Sequence, residues 1–168
     1  MMLDALARTG PAASSTQPAS AAWAPPDGWR AIERTAVVGG AEDWSRLRDA
    51  VLHWVVKRRS GFAIPPGPAT AGERLLVTAR VGPVVVREPI EVVEVVDEPT
   101  RAGFAYATLA GHPVASEEAF VVHVDGDAVV LTVRALTRAA PSGPWRAAFP
   151  ALRAVQEVAL RRYLRALR

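Results

Sequence analysis

From Arg101 to Phe120 the chain alternates large and small residues, breaks, and resumes. Phe104, Tyr106 and Thr108 stand at every second position among alanines and a glycine, the period of a strand with one face pressed on a core. Gly111-His112-Pro113 interrupts that pattern with turn residues, and Ser116 to Val124 restores it. Asp125-Gly126-Asp127 then leads into a last strand from Ala128 to Thr137. Asp-Gly between two alternating runs is a strong hairpin signal, so these last two strands should be antiparallel neighbours. A set of adjacent strands with one large-residue face has to be covered by something, and the cover must come from the flanking segments.

Those flanking segments have helical periodicity. After a turn at Pro25-Pro26-Asp27-Gly28, Trp29 to Val38 reads as a first strand, closed by Gly39-Gly40. Between Ala41 and Arg59, the residues Trp44, Leu47, Val51, Trp54 and Val55 recur at three- and four-residue spacing, which predicts a helix. Glu42 and Asp43 suit its positive end, and Lys57, Arg58 and Arg59 its negative end. Gly61 and Pro65-Pro66-Gly67-Pro68 stop it. Strands are then predicted over Glu73 to Val81, Val84 to Asp97 with a bend or edge position at Pro89, and Gly103 to Leu109. Past a break at Pro141, Gly143 and Pro144, a final helix aligns Phe149, Leu152, Leu160, Tyr163 and Leu167 in one stripe with Gln156 at its middle. Arg161, Arg162, Arg165 and Arg168 make its opposite, solvated face.

At 168 residues the chain fits one domain. Residues 11 to 26 are rich in Ala, Ser and Pro, too poor in apolar surface to offset their ordering entropy, so residues 1 to 25 are expected to be a disordered tail and residues 26 to 168 the domain. The chain has no cysteine, hence no disulfide framework and no thiolate nucleophile, which fits a cytoplasmic address. With Asp4 and no sustained apolar run, the first residues are not expected to form a secretory signal, and no apolar run approaches the ~20 residues of a membrane span. A formal charge of +3 and an arginine face without interleaved aromatics give no case for a nucleic-acid partner. Gly-x-Gly-x-x-Gly and Gly-x-Ser-x-Gly are missing, and His53, His112 and His123 show no metal-ligand spacing, so neither a cofactor nor a metal is expected.

The order of elements is α+β: one strand, a helical segment, a run of antiparallel strands and a long terminal helix. That is the order of the helix-grip fold, a curved antiparallel sheet wrapped around the C-terminal helix with a cavity left between them. Several segments resemble those of the family called domain of unknown function 1990, or uncharacterised protein family 0548. They are Val37-Val38-Gly39, Trp54 with the basic end of its helix, Val95 to Pro99, Arg101 to Tyr106, Thr108-Leu109, Gly111-His112-Pro113, Glu117 to Phe120, Gln156 and Arg162-Tyr163-Leu164. The likeness runs from about Pro26 to the C-terminus. Where relatives read Gly, Pro and Glu, this chain has Ala107, Ala110 and Val114. The family is grouped with the birch-pollen-allergen-like, START-like (SRPBCC) superfamily, so the resemblance implies the same helix-grip fold and brings no assigned activity.

Besides a structural or regulatory role through the Arg161, Arg162 and Arg165 face, two functional readings remain open. One is a binding protein that holds a small apolar molecule between sheet and terminal helix, touched by Phe104, Tyr106, Phe120, Gln156 and Tyr163. The other is an acid-base enzyme of cyclase, dehydratase or isomerase type, with His112 and Glu118 as its candidate groups. Each candidate also has a structural reading. His112 can bond backbone across its bend, and Gln156 either bonds the sheet or marks a wet cavity. Glu117 and Glu118 point to opposite faces of their strand. Arg134 is expected opposite one of them as an ion-pair partner, which makes it a further candidate at the ligand site. Because Glu118 shares its face with Phe120 and Val122, the sequence predicts that Glu118→Gln destabilises the chain and that Glu117→Gln is nearly silent, with denaturant midpoints as the measurement.

Overall fold

The computed structural model describes residues 14–110, 114–139 and 144–168. Among them, seven strands form one antiparallel sheet: β1 (Arg30–Gly40), β2 (Phe62–Ala63), β3 (Arg74–Val81), β4 (Val84–Glu98), β5 (Arg101–Thr108), β6 (Ala115–Asp125) and β7 (Ala128–Arg138). Their order across the sheet is β1-β7-β6-β5-β4-β3-β2. The strands adjacent in sequence at the start, β1 and β2, thus lie at opposite edges. Their connection must cross the sheet, and it does so as two short helices, α1 (Trp44–Leu52) and α2 (Val55–Arg59), with α1 packed on β5 and β6. After β7 come α3 (Pro144–Ala147) and α4 (Phe149–Tyr163).

The sheet is two-faced because the side-chain period of a strand is two. Phe104, Tyr106, Phe120, Val122, Leu131 and Val133 point to the concave side. There they meet Leu47, Val51, Trp54 and Val56 from the crossing helices and Leu160, Tyr163 and Leu167 from the C-terminal segment. Each fully buried large apolar side chain contributes about 1.5–3 kcal/mol, so this shared core ties the helices to the sheet. Gly103 answers a different demand. A Cβ there would stand 2.1 Å from the carbonyl oxygen of Phe120, so β5 and β6 approach each other only because position 103 has no side chain.

The expected single helix over residues 41 to 59 is broken. A 3-10 turn at Ala41–Asp43 precedes α1, and Trp54, at φ +63°, interrupts the helical path in the left-handed region before α2 restarts. An indole gains enough by burial against Phe104, at 4.2 Å between ring centroids, to offset a backbone conformation that costs a non-glycine residue about 1–3 kcal/mol. The restart turns Val56 and Lys57 inward, whereas the sequence had read Lys57 only as a charge suited to the helix C-terminus.

The Asp-Gly hairpin forms as expected, with Gly126 at φ +57° in a two-residue turn. That turn pairs Asp125 with Ala128 and so places Arg134 opposite Ala119, not opposite Glu117 or Glu118. Arg134 faces the convex side, where its ion-pair partner is Glu33 of β1, at 2.6 Å.

The tail expectation also needs correction from residue 14 onward. Residues 14–25 form a strap over the convex face. Glu117 Oε1 accepts from Ser14 Oγ at 2.5 Å, from Thr16 N at 2.7 Å and from Thr16 Oγ1 at 2.8 Å. Arg134 donates to the carbonyls of Thr16, Gln17, Ser20 and Ala21, and Arg101 to those of Pro18 and Ser20. Low apolar content does not leave this segment unordered, because its backbone carbonyls and hydroxyls are bonded by three charged side chains that would otherwise lie poorly solvated on the sheet. Ala105, Ala119 and Gly103 supply the small residues on that outer face, and Ala105 and Ala119 are buried there.

Glu117 is therefore not a silent position. Glu117→Leu should cost about 2–4 kcal/mol, since hydrogen bonds to a charged group are worth about 1.5–3 kcal/mol each and the freed donors regain water only if the strap lifts. Limited proteolysis should then cut between residues 14 and 25 in the variant and spare them in the parent chain.

Candidate functional site

Four elements converge on the ammonium of Lys57. It lies at the centre of the concave core, 2% exposed, and donates to the hydroxyls of Tyr106 on β5 at 2.7 Å and Tyr163 on α4 at 3.0 Å. Glu118 of β6 stands 3.7 Å away, and the Tyr106 hydroxyl lies between the two and donates to the carboxylate. Tyr106 and Glu118 are direct cross-strand partners, which is why the phenol reaches the carboxylate without spanning a gap. Aromatic faces complete the surroundings of the cation, the nearest being Phe62 with its ring centroid 3.9 Å from Nζ. Phe104, Phe120 and Trp54 pack around the tyrosines.

The electrostatics follow from that burial. Desolvation, reinforced by the Glu118 carboxylate, holds both phenols well above the ordinary tyrosine value, so each remains a neutral donor and acceptor at physiological pH. The Tyr106 hydroxyl is fully used, accepting from Lys57 and donating to Glu118. Tyr163 accepts from Lys57, and its own O–H has no acceptor among the described residues.

Of the residues singled out in the sequence, Phe104, Tyr106, Glu118, Phe120 and Tyr163 meet in this one cluster. Gln156 does not join them. Its amide accepts from Arg30 at 3.0 Å and donates to Thr137 Oγ1 at 2.8 Å, which is the sheet-bonding alternative. Arg134 is on the other side of the sheet, and His112 with its bend lies outside the described residues. Burial along α4 declines toward its N-terminus: Leu160 and Tyr163 are buried, whereas Gln156, Leu152 and Phe149 on the same stripe are only half-buried. The expected hollow beneath the helix is thus filled by packed rings at one end, while the other end of the helix stripe stays half open.

Among the described residues no group of three His, Cys, Asp or Glu side chains is placed to hold a metal ion, and no helix is long and apolar enough to cross a membrane.

The family described as Domain of unknown function (DUF1990) matches residues 13–166. The chain belongs to the DUF1990 family. Its match begins well before the expected Pro26 and takes in the strap, in keeping with the part those residues play on the convex face. No curated protein matches this DUF1990 chain. Among solved structures, a hypothetical protein, jhp0584 from Helicobacter pylori, is similar at 16% identity, with 84% of this chain and 86% of that one covered and a TM-score of 0.56. Ara h 8.0201 is similar at 12% identity, with coverage of 81% and 96% and a TM-score of 0.51. These likenesses show the fold: the DUF1990 chain has a helix-grip fold, its curled antiparallel sheet accompanied by a C-terminal helix and by helices after the first strand.

Lys57 is the residue that sequence reasoning missed, and a signal for it was present. Of the 20 basic residues of this DUF1990 chain it is the only lysine. A guanidinium is a broad planar fork, whereas an ammonium is compact and fits between two phenols and a ring face. A position that departs from otherwise universal arginine is one where that compactness matters.

Two measurements test this site. The chain has only two tyrosines, both buried, so absorbance titration should show no tyrosinate near pH 10 in the folded protein. With folded values raised above the unfolded one, the two phenols contribute stability that is complete below about pH 10 and is lost as pH rises further, so tyrosinate should appear together with unfolding. Secondly, Lys57→Met should cost about 3–5 kcal/mol by leaving the Glu118 carboxylate buried without its cation. Adding Glu118→Gln to that variant should recover part of the loss, and equal, additive losses in a double-mutant cycle would show that the two groups are uncoupled.

Proposed function

We propose that this DUF1990 domain binds a small, largely apolar molecule between the concave face of the sheet and α4, with a hydrogen-bond acceptor of the ligand directed at Tyr163. The observation that carries this reading is the Tyr163 hydroxyl. It is a buried phenol, oriented by Lys57, whose proton has no acceptor among the described residues, and a buried donor of that kind calls for a partner. The half-buried Phe149 and Leu152, about three to four turns from Tyr163 toward the start of α4, leave apolar surface along the same helix stripe, and sites of this composition, mostly apolar with a few placed polar groups, suit small molecules. The fold shared with Ara h 8.0201 is compatible with such a role. The cysteine-free composition fits a cytoplasmic setting.

A second reading has its own support. Tyr106 links the Lys57 ammonium to the Glu118 carboxylate, a short chain along which a proton can pass, so an acid-base reaction on a bound ligand is the alternative function. His112 is its second candidate group.

Native mass spectrometry of the chain purified from its own host, with a thermal-shift screen of apolar metabolites bearing a carbonyl or hydroxyl, should reveal a binder. Tyr163→Phe should retain the fold and weaken that ligand at least tenfold. An unaltered affinity in Tyr163→Phe, or no binder at all, would sink the binding proposal. For the catalytic alternative the discriminating result is turnover that disappears in Tyr106→Phe or His112→Ala while binding persists.

A further inference from the structure

On the opposite, convex face the strap and the sheet leave a hollow of about 190 Å³, several times the ~30 Å³ share of one water in the liquid. Arg101, Arg134, His123, Thr35 and Thr132 line it, with Glu33 and Ala21 completing the wall. The strand register explains the grouping. Thr35 pairs with Thr132, Glu33 with Arg134, and Arg101 with His123, so side chains from β1, β7, β6 and β5 all emerge on one face within two rungs of one another.

Three features of this hollow suit a small anion. Its charges do not balance: two guanidiniums face one carboxylate, and Glu33 is already bonded to Arg134. Arg101 has only strap carbonyls as acceptors, at Nε and Nη2, and its Nη1 is without an acceptor among the described residues. Burial and then the nearby Arg134 charge lower Arg101 from its ordinary value, opposed in part by Glu98 and Glu33. Lastly, His123 Nδ1 is buried without any hydrogen-bond partner among the described residues. An orphaned ring nitrogen, an unused guanidinium donor and two threonine hydroxyls around one space are the donors a small oxyanion takes.

We propose that this hollow binds a small oxyanion, a phosphate or carboxylate group, through Arg101, His123 Nδ1–H and the Thr35 and Thr132 hydroxyls. Arg134, 2% exposed and engaged by Glu33 and four strap carbonyls, holds the wall in place. Because Arg101 and Arg134 also hold the strap, an occupant bound to them fastens residues 16–21 onto the sheet. The site is independent of the concave aromatic cluster, from which the sheet separates it.

The groups facing His123 set the expected readout. Burial lowers its proton affinity first, Arg101 and Arg134 lower it further, and Asp125 raises it. An anion in the hollow opposes the two arginines and must raise it. The experiment is a titration of the full chain with inorganic phosphate, and in a second arm with acetate, against sodium chloride at equal ionic strength. Ring resonances of the three histidines and the thermal midpoint are followed, with His53 as the internal control. Phosphate or acetate should move the His123 ring signals saturably, raise its apparent pKa and raise the midpoint, and chloride should do none of these. His123→Leu, which leaves every strap hydrogen bond intact, should abolish the midpoint shift, and Arg101→Gln should abolish the movement of the His123 signals. A His123 ring unmoved by either anion overturns the proposal and leaves a water-filled hollow. So does a midpoint shift that survives in His123→Leu, which would place the anion elsewhere, for instance on the arginines of α4.

Discussion

A single buried ammonium joins the parts of this molecule that are remote in sequence. Lys57 comes from α2, Tyr106 from β5, Glu118 from β6 and Tyr163 from α4, and the hydroxyls and carboxylate of these residues meet around Nζ. A charge taken out of water is tolerated only where it is paired and hydrogen-bonded, so the cluster cannot loosen by degrees. If α2 shifts, the cation loses its phenols. If β5 slips by one residue against β6, Tyr106 leaves Glu118 and points to the opposite face. The polar cluster thus sets the register of a core whose aromatic residues would pack acceptably in more than one way.

The convex face is organised by the same physics with the polarity reversed. There the charged groups belong to the sheet, and the chain's own N-terminal backbone is brought to them. Glu117 gathers donors from Ser14 and Thr16, while Arg134 and Arg101 gather carbonyls from residues 16–21. A strap with little apolar surface is ordered because charge-assisted hydrogen bonds are roughly twice as strong as neutral ones. The small outer residues Ala105 and Ala119 lie buried beneath it. The alternation that first drew attention to β5 therefore has two causes: large residues are needed inside, and small ones outside.

Much of this was legible from local patterns. The Asp-Gly turn gave the β6–β7 hairpin, the alternation in β5 and β6 gave the inward set of Phe104, Tyr106, Glu118 and Phe120, and the terminal stripe gave Leu160 and Tyr163. Composition misled where long-range partners decide the outcome. Residues 14–25 read as tail because nothing nearby in sequence bonds them, and their acceptors and donors lie about 80 to 118 positions away. The helix over residues 41 to 59 read as continuous because its apolar spacing hardly changes across Trp54, whose left-handed backbone is stabilised only by the rings of another element.

The sequence by itself determined the class of fold, the faces of the strands and the family, because each rests on periodicities and motifs that span a few residues. Tertiary structure alone decided which charges meet. Arg134 was expected to pair with Glu117 or Glu118; it pairs with Glu33 instead, and Glu117, on the same face, binds the strap. Lys57 was read only as a charge suited to the end of its helix, and it lies at the centre of the core. Coulombic and hydrogen-bonding partners are chosen by proximity in space across strands and helices, and one residue of turn length or one left-handed peptide is enough to redirect them.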